Sequence, residues 1–252
     1  MTVQASVENG IGRIVLGNPP LNILTQEVLG HIREQLAKLA ADRSLRVLLL
    51  GAEGKHFSAG ADVGEHLPPK YERMIPEFID TVAAIDSFPL PVIAVVKGRC
   101  LGGGFELVQA ADMIVAGEGA IFGQPEIMLG VLPPAACAVL PDICAPGVAA
   151  EVVFTGEPLN AQQALQAGLV LRVVPDDRIE DETLELAGKI ARHSAAALRV
   201  TKRALRAGMA DRRAAVMAEV GKIYVDELMS TADAVEGLQA FLDKRKPAWK
   251  HQ

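Results

Sequence analysis

PVIAVVKGRCLGGGFE, residues Pro91–Glu106, is the segment that most clearly indicates the fold. It begins with a short, continuously apolar run, Pro91–Val96, which is typical of a strand buried on both faces of a parallel sheet. Glycines follow this run, and the apolar residues after them predict a helix that begins in the loop. The loop therefore lies at the carboxyl end of a strand, where open α/β sheets bind their ligands.

A second unit of the same kind precedes it. The apolar run Arg46–Gly51 predicts a strand, and the glycine-containing loop Glu53–Asp62 (EGKHFSAGAD) follows it. Further strands are predicted at Ile11–Leu16 and Met113–Ala116. Apolar residues at helical spacing predict a helix over Thr25–Ala41, with Thr25 as its N-cap. This alternation of strands and helices predicts an α/β fold with a mostly parallel sheet.

The pattern changes after about Pro175, where the signal for strands ends. We expect residues 1–190 to form the α/β core with the ligand site and residues 191–252 to form a helical C-terminal region. The predicted helices of this part of the chain are Ile179–His193, Ser194–Ala207, Arg213–Ser230 and Ala232–Arg245.

The composition restricts the classes of function. Of the 252 residues 50% are hydrophobic and 22% are charged, which is typical of a folded globular chain rather than a disordered one. The net charge of −6 disfavours nucleic acid as a partner, because phosphate contacts need clustered cations. No apolar stretch reaches the roughly 18–20 residues of a membrane span, and no signal peptide is evident. Three sparse cysteines favour a reducing compartment. We therefore expect a cytoplasmic protein without membrane partners.

The two glycine-rich loops could bind a developing negative charge. Gly102, Gly103 and Gly104 allow close approach of the backbone, and a helix that begins there presents free N–H groups. One N–H group from each loop, directed at one point, would form an oxyanion hole. Ordinary tight turns are the alternative interpretation. A dinucleotide site is disfavoured because the spacing G-x-G-x-x-G is absent.

Two glutamates lie in largely apolar segments near these loops. Glu106 is just inside the predicted helix, and Glu126 lies in FGQPEIMLG, residues Phe122–Gly130. A buried carboxylate is costly, and its pKa rises, unless it is paired or functional. Two such groups could share one water molecule, one accepting a proton and the other donating one. The alternative is a helix-end charge and a solvent-facing loop residue. No HExxH motif or clustered Cys/His spacing predicts a metal site.

Six segments, in order, resemble the crotonase or enoyl-CoA hydratase/isomerase superfamily, and together they extend over nearly the whole chain. They are Asn18–Leu24, Phe57–Asp62, Pro91–Glu106, Phe122–Gly130, Phe154–Val170 and Ala240–Lys246.

The resemblance implies a spiral of ββα units with a helical C-terminal region that assembles homotrimers, which often pair into homohexamers. It implies an oxyanion hole from the N–H groups of Ala61 and Gly103, with Glu106 and Glu126 as the catalytic acid and base. No cofactor is implied, since coenzyme A enters as part of an acyl-CoA substrate. The residues expected to contact or position the substrate are Ser58, Ala59, Asp62, Gly102, Gln124, Pro133 and Lys244.

One segment departs from the superfamily pattern. Val131–Leu140 (VLPPAACAVL) stands where common hydratases of the superfamily have a glycine-rich turn, and Pro133 and Pro134 stiffen it. Four segments narrow the resemblance to the cyclohexa-1,5-diene-1-carbonyl-CoA hydratases, which serve anaerobic degradation of benzoyl-CoA. They are His56–Pro69, Gly98–Glu106, Gly130–Pro141 and Tyr224–Arg245. The implied activity is hydration of an enoyl- or dienoyl-CoA thioester. An enoyl-CoA isomerase on the same fold and a non-catalytic CoA-thioester-binding protein are the alternatives.

Five further side chains lie close to the first loop. His56 and His66 flank it, and we expect both to be solvated. Tyr71, Met74 and Phe78 follow it at helical spacing, and they either line the acyl pocket or belong to the core.

Overall fold

The computed structural model describes residues 3–251, and within this range the chain forms nine strands. They are β1 Val3–Glu8, β2 Ile11–Leu16, β3 Val47–Ala52, β4 Val92–Val96, β5 Arg99–Leu101, β6 Met113–Gly117, β7 Ile121–Gly123, β8 Leu159–Asn160 and β9 Arg172–Val174.

The strands form a large sheet and a small one. The large sheet has the order β1-β2-β3-β4-β6-β9, and all its pairs except β1–β2 are parallel. The small sheet has the order β5-β7-β8. The four predicted strands are confirmed as β2, β3, β4 and β6. Strand β1 was missed because its exposed, polar residues hide the apolar pattern, although the Asn9-Gly10 turn that joins it to β2 is a strong hairpin signal.

Ten α-helices lie in the described part of the chain. They are α1 Gln26–Ala41, α2 Tyr71–Asp86, α3 Gly103–Gln109, α4 Pro134–Ile143, α5 Pro146–Thr155, α6 Ala161–Gln166, α7 Ile179–Ala191, α8 Ala195–Leu205, α9 Ala210–Lys222 and α10 Ala232–Leu242. Thr25 caps α1 as predicted, its side chain accepting from the N–H of Val28 at 3.3 Å. None of the helices between residues 3 and 251 is both long and apolar enough to cross a membrane.

Both faces of the large sheet are covered, as the apolar runs predicted. Side chains such as Leu48, Leu50 and Ala94 belong to the main hydrophobic core. On the opposite face, Leu49 and Ile93 pack with residues of α7. This burial explains why β3 and β4 show no alternation of polar and apolar residues.

A repeated unit of strand, short strand and helix positions the candidate site. Strand β4 of the large sheet leads into β5 of the small sheet and then into α3. Strand β6 leads in the same way into β7 and then into a 3₁₀ helix, Pro125–Leu129. Since β5 and β7 pair in parallel, with Leu101 opposite Gly123, the two helical segments begin side by side. Glu106 and Glu126, one in each segment, are thereby brought to the same place.

The C-terminal helices share the main core rather than packing separately. Tyr224, Met229 and Leu238 are buried in the same cluster as residues of α1 and α2. After α9 the backbone widens into a π-helical turn, Ile223–Glu227, before a 3₁₀ turn, Leu228–Ser230. The expected domain boundary at residue 190 falls at the end of α7.

Buried ion pairs connect α8 and α9 to the core. Asp86, at the end of α2, is paired with Arg206 and with Arg213, the latter at 2.9 Å. Asp112 accepts from Lys202 at 2.6 Å and from Arg206 at 2.8 Å. All these side chains are largely buried, so the charges depend on one another for stabilisation.

Candidate active site

The two predicted loops meet edge to edge. The N–H of Ser58 donates to the carbonyl of Arg99 at 3.1 Å, and the N–H of Leu101 donates to the carbonyl of Ser58 at 3.0 Å. The Ser58 hydroxyl donates to the carbonyl of Asn22 at 2.8 Å and accepts from the N–H of Gly60 at 3.1 Å. These bonds hold the first loop rigidly against the second.

Two backbone N–H groups with no acceptor lie where the loops meet. Gly103 begins α3, and Ala61 follows Gly60 in the first loop. Within residues 3–251 neither the N–H of Ala61 nor that of Gly103 donates to another group. A Cβ placed on Gly103 would lie 3.4 Å from the Cβ of Ala61, so the two residues are direct neighbours. The geometry thus offers two free donors from two elements on one wall.

Glu106 is buried and firmly held. Its side chain leaves α3, and its Oε1 accepts from the N–H groups of Ala135 at 2.7 Å and Ala136 at 3.0 Å. These are the first free donors of α4, because Pro134 at the helix start has no N–H. Burial raises the pKa of Glu106 to about 7, while the two backbone N–H groups act in the opposite direction and favour the carboxylate.

Glu126 faces Glu106 from the neighbouring 3₁₀ helix. In the amide orientation of Gln124 that gives both ends a hydrogen-bond partner, Nε2 donates to the two Glu126 carboxyl oxygens at 3.2 and 3.1 Å. Its Oε1 then accepts from Nε2 of Gln109 at 2.7 Å. Burial, and then the charge of Glu106, raise the pKa of Glu126 well above its ordinary value. Burial and the charge of Glu106 therefore favour the protonated form of Glu126, whereas the N–H groups of Ala135 and Ala136 favour the carboxylate of Glu106.

Both glutamates open onto one cavity of about 750 Å³, a volume typical of small-molecule sites. Its walls are mainly apolar, from residues such as Met74, Ile75, Phe78 and Leu132. The predicted site residues that line it are Ala59, Ala61, Asp62, Gly102, Gly103, Glu106 and Glu126. Such a cavity can enclose an apolar acyl group while presenting two carboxyl groups and two N–H donors to it.

The family model for enoyl-CoA hydratase/isomerase matches residues 6–252. The chain belongs to the enoyl-CoA hydratase/isomerase family. It is 35% identical over 240 residues to the cyclohexa-1,5-dienecarbonyl-CoA hydratase of Thauera aromatica, covering 95% of this chain and 93% of that relative. It is 37% identical over 231 residues to the 2,3-dehydroadipyl-CoA hydratase of Escherichia coli (strain K12), covering 91% and 90%.

Solved structures agree with this assignment. The enoyl-CoA hydratase/isomerase from Pseudoalteromonas atlantica T6c superposes with a TM-score of 0.91 at 29% identity, covering 99% of this chain and 100% of that chain. The enoyl-CoA hydratase from Mycobacterium avium subsp. paratuberculosis K-10 gives 0.89 at 28% identity, covering 99% of both chains. The predicted crotonase-type fold is confirmed. The chain is an enoyl-CoA hydratase-like enzyme that acts on acyl-CoA thioesters.

Four predicted substrate contacts of this enoyl-CoA hydratase-like enzyme lie outside the cavity wall. Ser58 and Gln124 are fully buried behind it, where they brace the first loop and Glu126. Pro133 caps α4, and Lys244 is exposed beyond α10. Direct contact of these side chains with the acyl-CoA stays a prediction.

Sequence reasoning missed two cations on the cavity wall. Arg99 and Arg245 both line it. Arg245 is paired with Glu236 at 2.6 Å, whereas the guanidinium of Arg99 has no ion-pair partner within residues 3–251. Arg99, the third residue of KGRCLGGG, would have been found only if β5 had been recognised, since a strand places alternate side chains on opposite faces.

The expectation that His66 is solvated is wrong. The 3₁₀ helix Val63–His66 turns its ring into the cavity wall, and burial lowers its pKa. Its Nδ1 donates to the carbonyl of Asp62 at 2.9 Å, since a carbonyl only accepts. Met74 and Phe78 line the cavity, whereas Tyr71 does not.

Proposed function

We propose that this enzyme adds water to the activated double bond of an enoyl- or dienoyl-CoA thioester, with cyclohexa-1,5-diene-1-carbonyl-CoA as its substrate. One observation carries the proposal. Glu106 and Glu126 open onto the same apolar cavity as the free N–H groups of Ala61 and Gly103. Addition of water needs a base, an acid and an anion site together, and this cavity provides candidates for all three.

Glu106 serves as the base in this proposal. Its carboxylate is fixed by the Ala135 and Ala136 N–H groups through Oε1, which leaves Oε2 for a water molecule. As the water oxygen bonds to the β-carbon, one water proton passes to Glu106. The double-bond electrons move toward the thioester carbonyl, which becomes an enolate.

The N–H groups of Ala61 and Gly103 receive that enolate oxygen. Removing one such donor from an oxyanion hole costs about 2.7–4 kcal/mol in other enzymes. Both donors are backbone groups in loops braced by Ser58, so they are in position before the substrate arrives. The thioester carbonyl is itself the electron acceptor, so the proposed reaction requires no metal and no redox cofactor.

Glu126 completes the addition by giving its proton to carbon. In a simple enoyl thioester the proton goes to the α-carbon, and in a conjugated cyclic diene it goes to the vinylogous carbon across the ring. Glu126 is the protonated partner because burial and the charge of Glu106 both raise its pKa. After the reaction Glu126 is ionised and Glu106 is protonated, so exchange with water restores the pair.

Two features support a cyclic acyl group. The α4 segment places Pro133, Pro134 and Ala135 directly beside Glu106, where they replace a glycine-rich turn with a stiff wall. The Thauera aromatica relative is named for the cyclic diene thioester. The Escherichia coli relative is named for a linear one, 2,3-dehydroadipyl-CoA, and is equally similar, so both acyl groups belong in the test.

Purified enzyme should be incubated separately with cyclohexa-1,5-diene-1-carbonyl-CoA, 2,3-dehydroadipyl-CoA and crotonyl-CoA. Mass spectrometry would detect the gain of one water, with Glu106→Gln and Glu126→Gln as matched variants. We expect the cyclic diene to be hydrated with the highest kcat/KM, and both variants to lose about 10²–10⁴ in rate. Preference for a linear thioester would reject the cyclic substrate. Double-bond migration without gain of water would reject hydration in favour of isomerisation. Homotrimeric or homohexameric assembly and a cytoplasmic location stay predictions.

A further inference from the structure

The Gln124 amide lies between partners that fix its orientation. Its Nε2 lies 3.3 Å from the carbonyl oxygen of Gly102, and 3.2 and 3.1 Å from the two carboxyl oxygens of Glu126. A carbonyl oxygen only accepts hydrogen bonds, so the amide must turn its donor end toward Gly102. The Oε1 end is then directed to the opposite side, where it needs a donor.

Gln109 supplies that donor. Its Nε2 donates to Oε1 of Gln124 at 2.7 Å. The two glutamines are buried, with exposed fractions of 2% for Gln109 and 0% for Gln124. Solvent therefore does not replace a missing partner at this position, and an unpaired amide oxygen there would be costly.

The fold gains little from the Gln109 amide itself. Its own Oε1 is buried and has no partner within residues 3–251. An apolar side chain of the same shape would avoid that cost, because replacing buried polar atoms by apolar groups can be neutral or stabilising. The unpaired oxygen therefore indicates that Gln109 serves the Gln124 amide rather than the stability of the core.

Helix α3 links this amide to the other glutamate. Gln109 is the last residue of α3 and lies three residues after Glu106, on the same side of the helix. One helix thus carries the proposed base and, about one turn later, the side chain that orients the amide beside Glu126. Neither Gln109 nor Gln124 lines the cavity, so both act from behind its wall.

We propose that Gln109 is a positioning residue for Glu126 and acts by locking the orientation of the Gln124 amide. With the amide locked, Gln124 donates to Glu126, and the acid proton of Glu126 finds no acceptor on the amide and stays available to the substrate. Without Gln109 the Oε1 of Gln124 loses its partner, and the amide turned by 180° competes. In that orientation Oε1 accepts from protonated Glu126 and holds the proton away from the substrate. This inference rests on the proposed hydratase function.

Gln109→Met tests the proposal, because it removes the donor and keeps the approximate shape of the side chain. Gln35→Met makes the same change at a buried glutamine of α1 that does not line the cavity, and it is the matched control. We expect kcat of Gln109→Met to fall about 3- to 10-fold, the effect of one neutral hydrogen bond, with KM unchanged. The alkaline limb of its kcat profile should move to higher pH, because the turned amide stabilises protonated Glu126. Gln35→Met should change neither.

The position of the alkaline limb reports on the amide because the other titratable groups that interact with Glu126 are unchanged in these variants. Glu106 is present in all of them. Burial and the charges of the two glutamates raise the pKa of Cys137 to about 12 and the pKa of Tyr224 above its ordinary value. The thiol and the phenol therefore stay neutral between pH 5 and 10.

A double-mutant cycle separates this role from a general structural one. In the Gln124→Leu background, Gln109→Met should have no further effect on kcat or on the alkaline limb, because the amide that it orients is absent. Additive effects of the two substitutions would overturn the inference. A loss of kcat in Gln109→Met without a shift of the limb would overturn it as well.

Neutron diffraction from deuterium-exchanged crystals of the wild-type enzyme tests the orientation without any substitution, and so decides even if Gln109→Met does not fold. We expect deuterium on the Gln124 nitrogen that faces the Gly102 carbonyl, and on the Gln109 nitrogen that faces Oε1 of Gln124. The reverse orientation of the Gln124 amide would contradict the proposal. A wild-type enzyme that hydrates no substrate would reject the proposed function instead, and the neutron structure would still decide on the amide.

Discussion

Gly102 and Glu126 lie so close that a Cβ on Gly102 would be 2.8 Å from Oε1 of Glu126. The N–H of Gly102 also donates to the carbonyl of Gly123 at 2.9 Å, which ties the second loop to the strand that leads to Glu126. The absence of a side chain at Gly102 therefore leaves the space that the Glu126 carboxyl group occupies. Its φ of +53°, which L side chains rarely adopt, is a second reason for glycine here.

Gly102→Ala should reduce kcat by about 10²-fold or more, because the added methyl displaces the carboxyl group that donates a proton. Gly208→Ala is the matched control, since Gly208 also has a positive φ, +79°, but has open space around it. Steady-state kinetics would compare the two. Equal activity of both variants would contradict this prediction, because it would show that the contact between residue 102 and Glu126 does not affect catalysis.

The rate of hydration should rise with pH up to about 7, the pKa to which burial raises Glu106, because only its carboxylate accepts a proton. At higher pH the rate should fall as Glu126, whose pKa lies well above its ordinary value, loses its proton. A profile of kcat between pH 5 and 10 would show both limbs. A rate that is constant from pH 5 to 7 would contradict the assignment of Glu106 as the base.

Glu126→Gln should stabilise the fold at pH 8 but not at pH 5. The pKa of Glu126 is higher in the folded state than in the unfolded state. The folded protein is therefore fully stabilised by this group only below the unfolded-state pKa, and that stability is lost as the pH rises toward the folded-state pKa. Glutamine is neutral at both pH values. For each kcal/mol gained, Tm should rise by about 2–4 °C at pH 8. Differential scanning calorimetry would measure it, and Glu34→Gln, at an exposed glutamate, should leave Tm nearly unchanged.

Gln124→Leu should lower kcat with little change in KM, because Gln124 touches Glu126 but does not line the cavity. Loss of the amide donor also destabilises the ionised Glu126, so the alkaline limb of the pH profile should move to higher pH. An exposed glutamine, as in Gln166→Leu, provides the control. A rise in KM alone would instead indicate that Gln124 contacts the substrate.

Asp86→Asn should destabilise the fold by about 3–5 kcal/mol, because it leaves the buried cations of Arg206 and Arg213 short of negative charge. Glu180→Gln breaks an exposed pair with Arg13 and should cost no more than about 1 kcal/mol. Urea denaturation of both variants would measure the free energy of unfolding. Similar losses would mean that the buried network contributes no more than a surface pair.

Local patterns predicted the strands and helices whose apolar residues are numerous and regular. Strands β3 and β4 and helix α1 were found at nearly their observed bounds, because burial on both sheet faces or on one helix face leaves a clear periodicity. The small sheet was not found, since strands of two or three residues are too short to show a period. Helices α4 and α5 begin with Pro134 and Pro146, and proline at the first helical position is a sequence signal for a helix start.

The fold class, the family resemblance and part of the cavity wall, including Ala61, Gly103, Glu106 and Glu126, follow from the sequence alone, because motif residues and apolar periodicity are local properties of the chain. Only the tertiary structure decided how Glu106 and Glu126 differ. Glu106 receives two N–H groups from a helix 29 residues further along the chain, while Glu126 lies beside the Gln124 amide. The inward position of His66 and the unpaired hydroxyl of Tyr224 were likewise decided there. Burial and the choice of a hydrogen-bond partner depend on which distant segments pack together, and no local pattern encodes that packing.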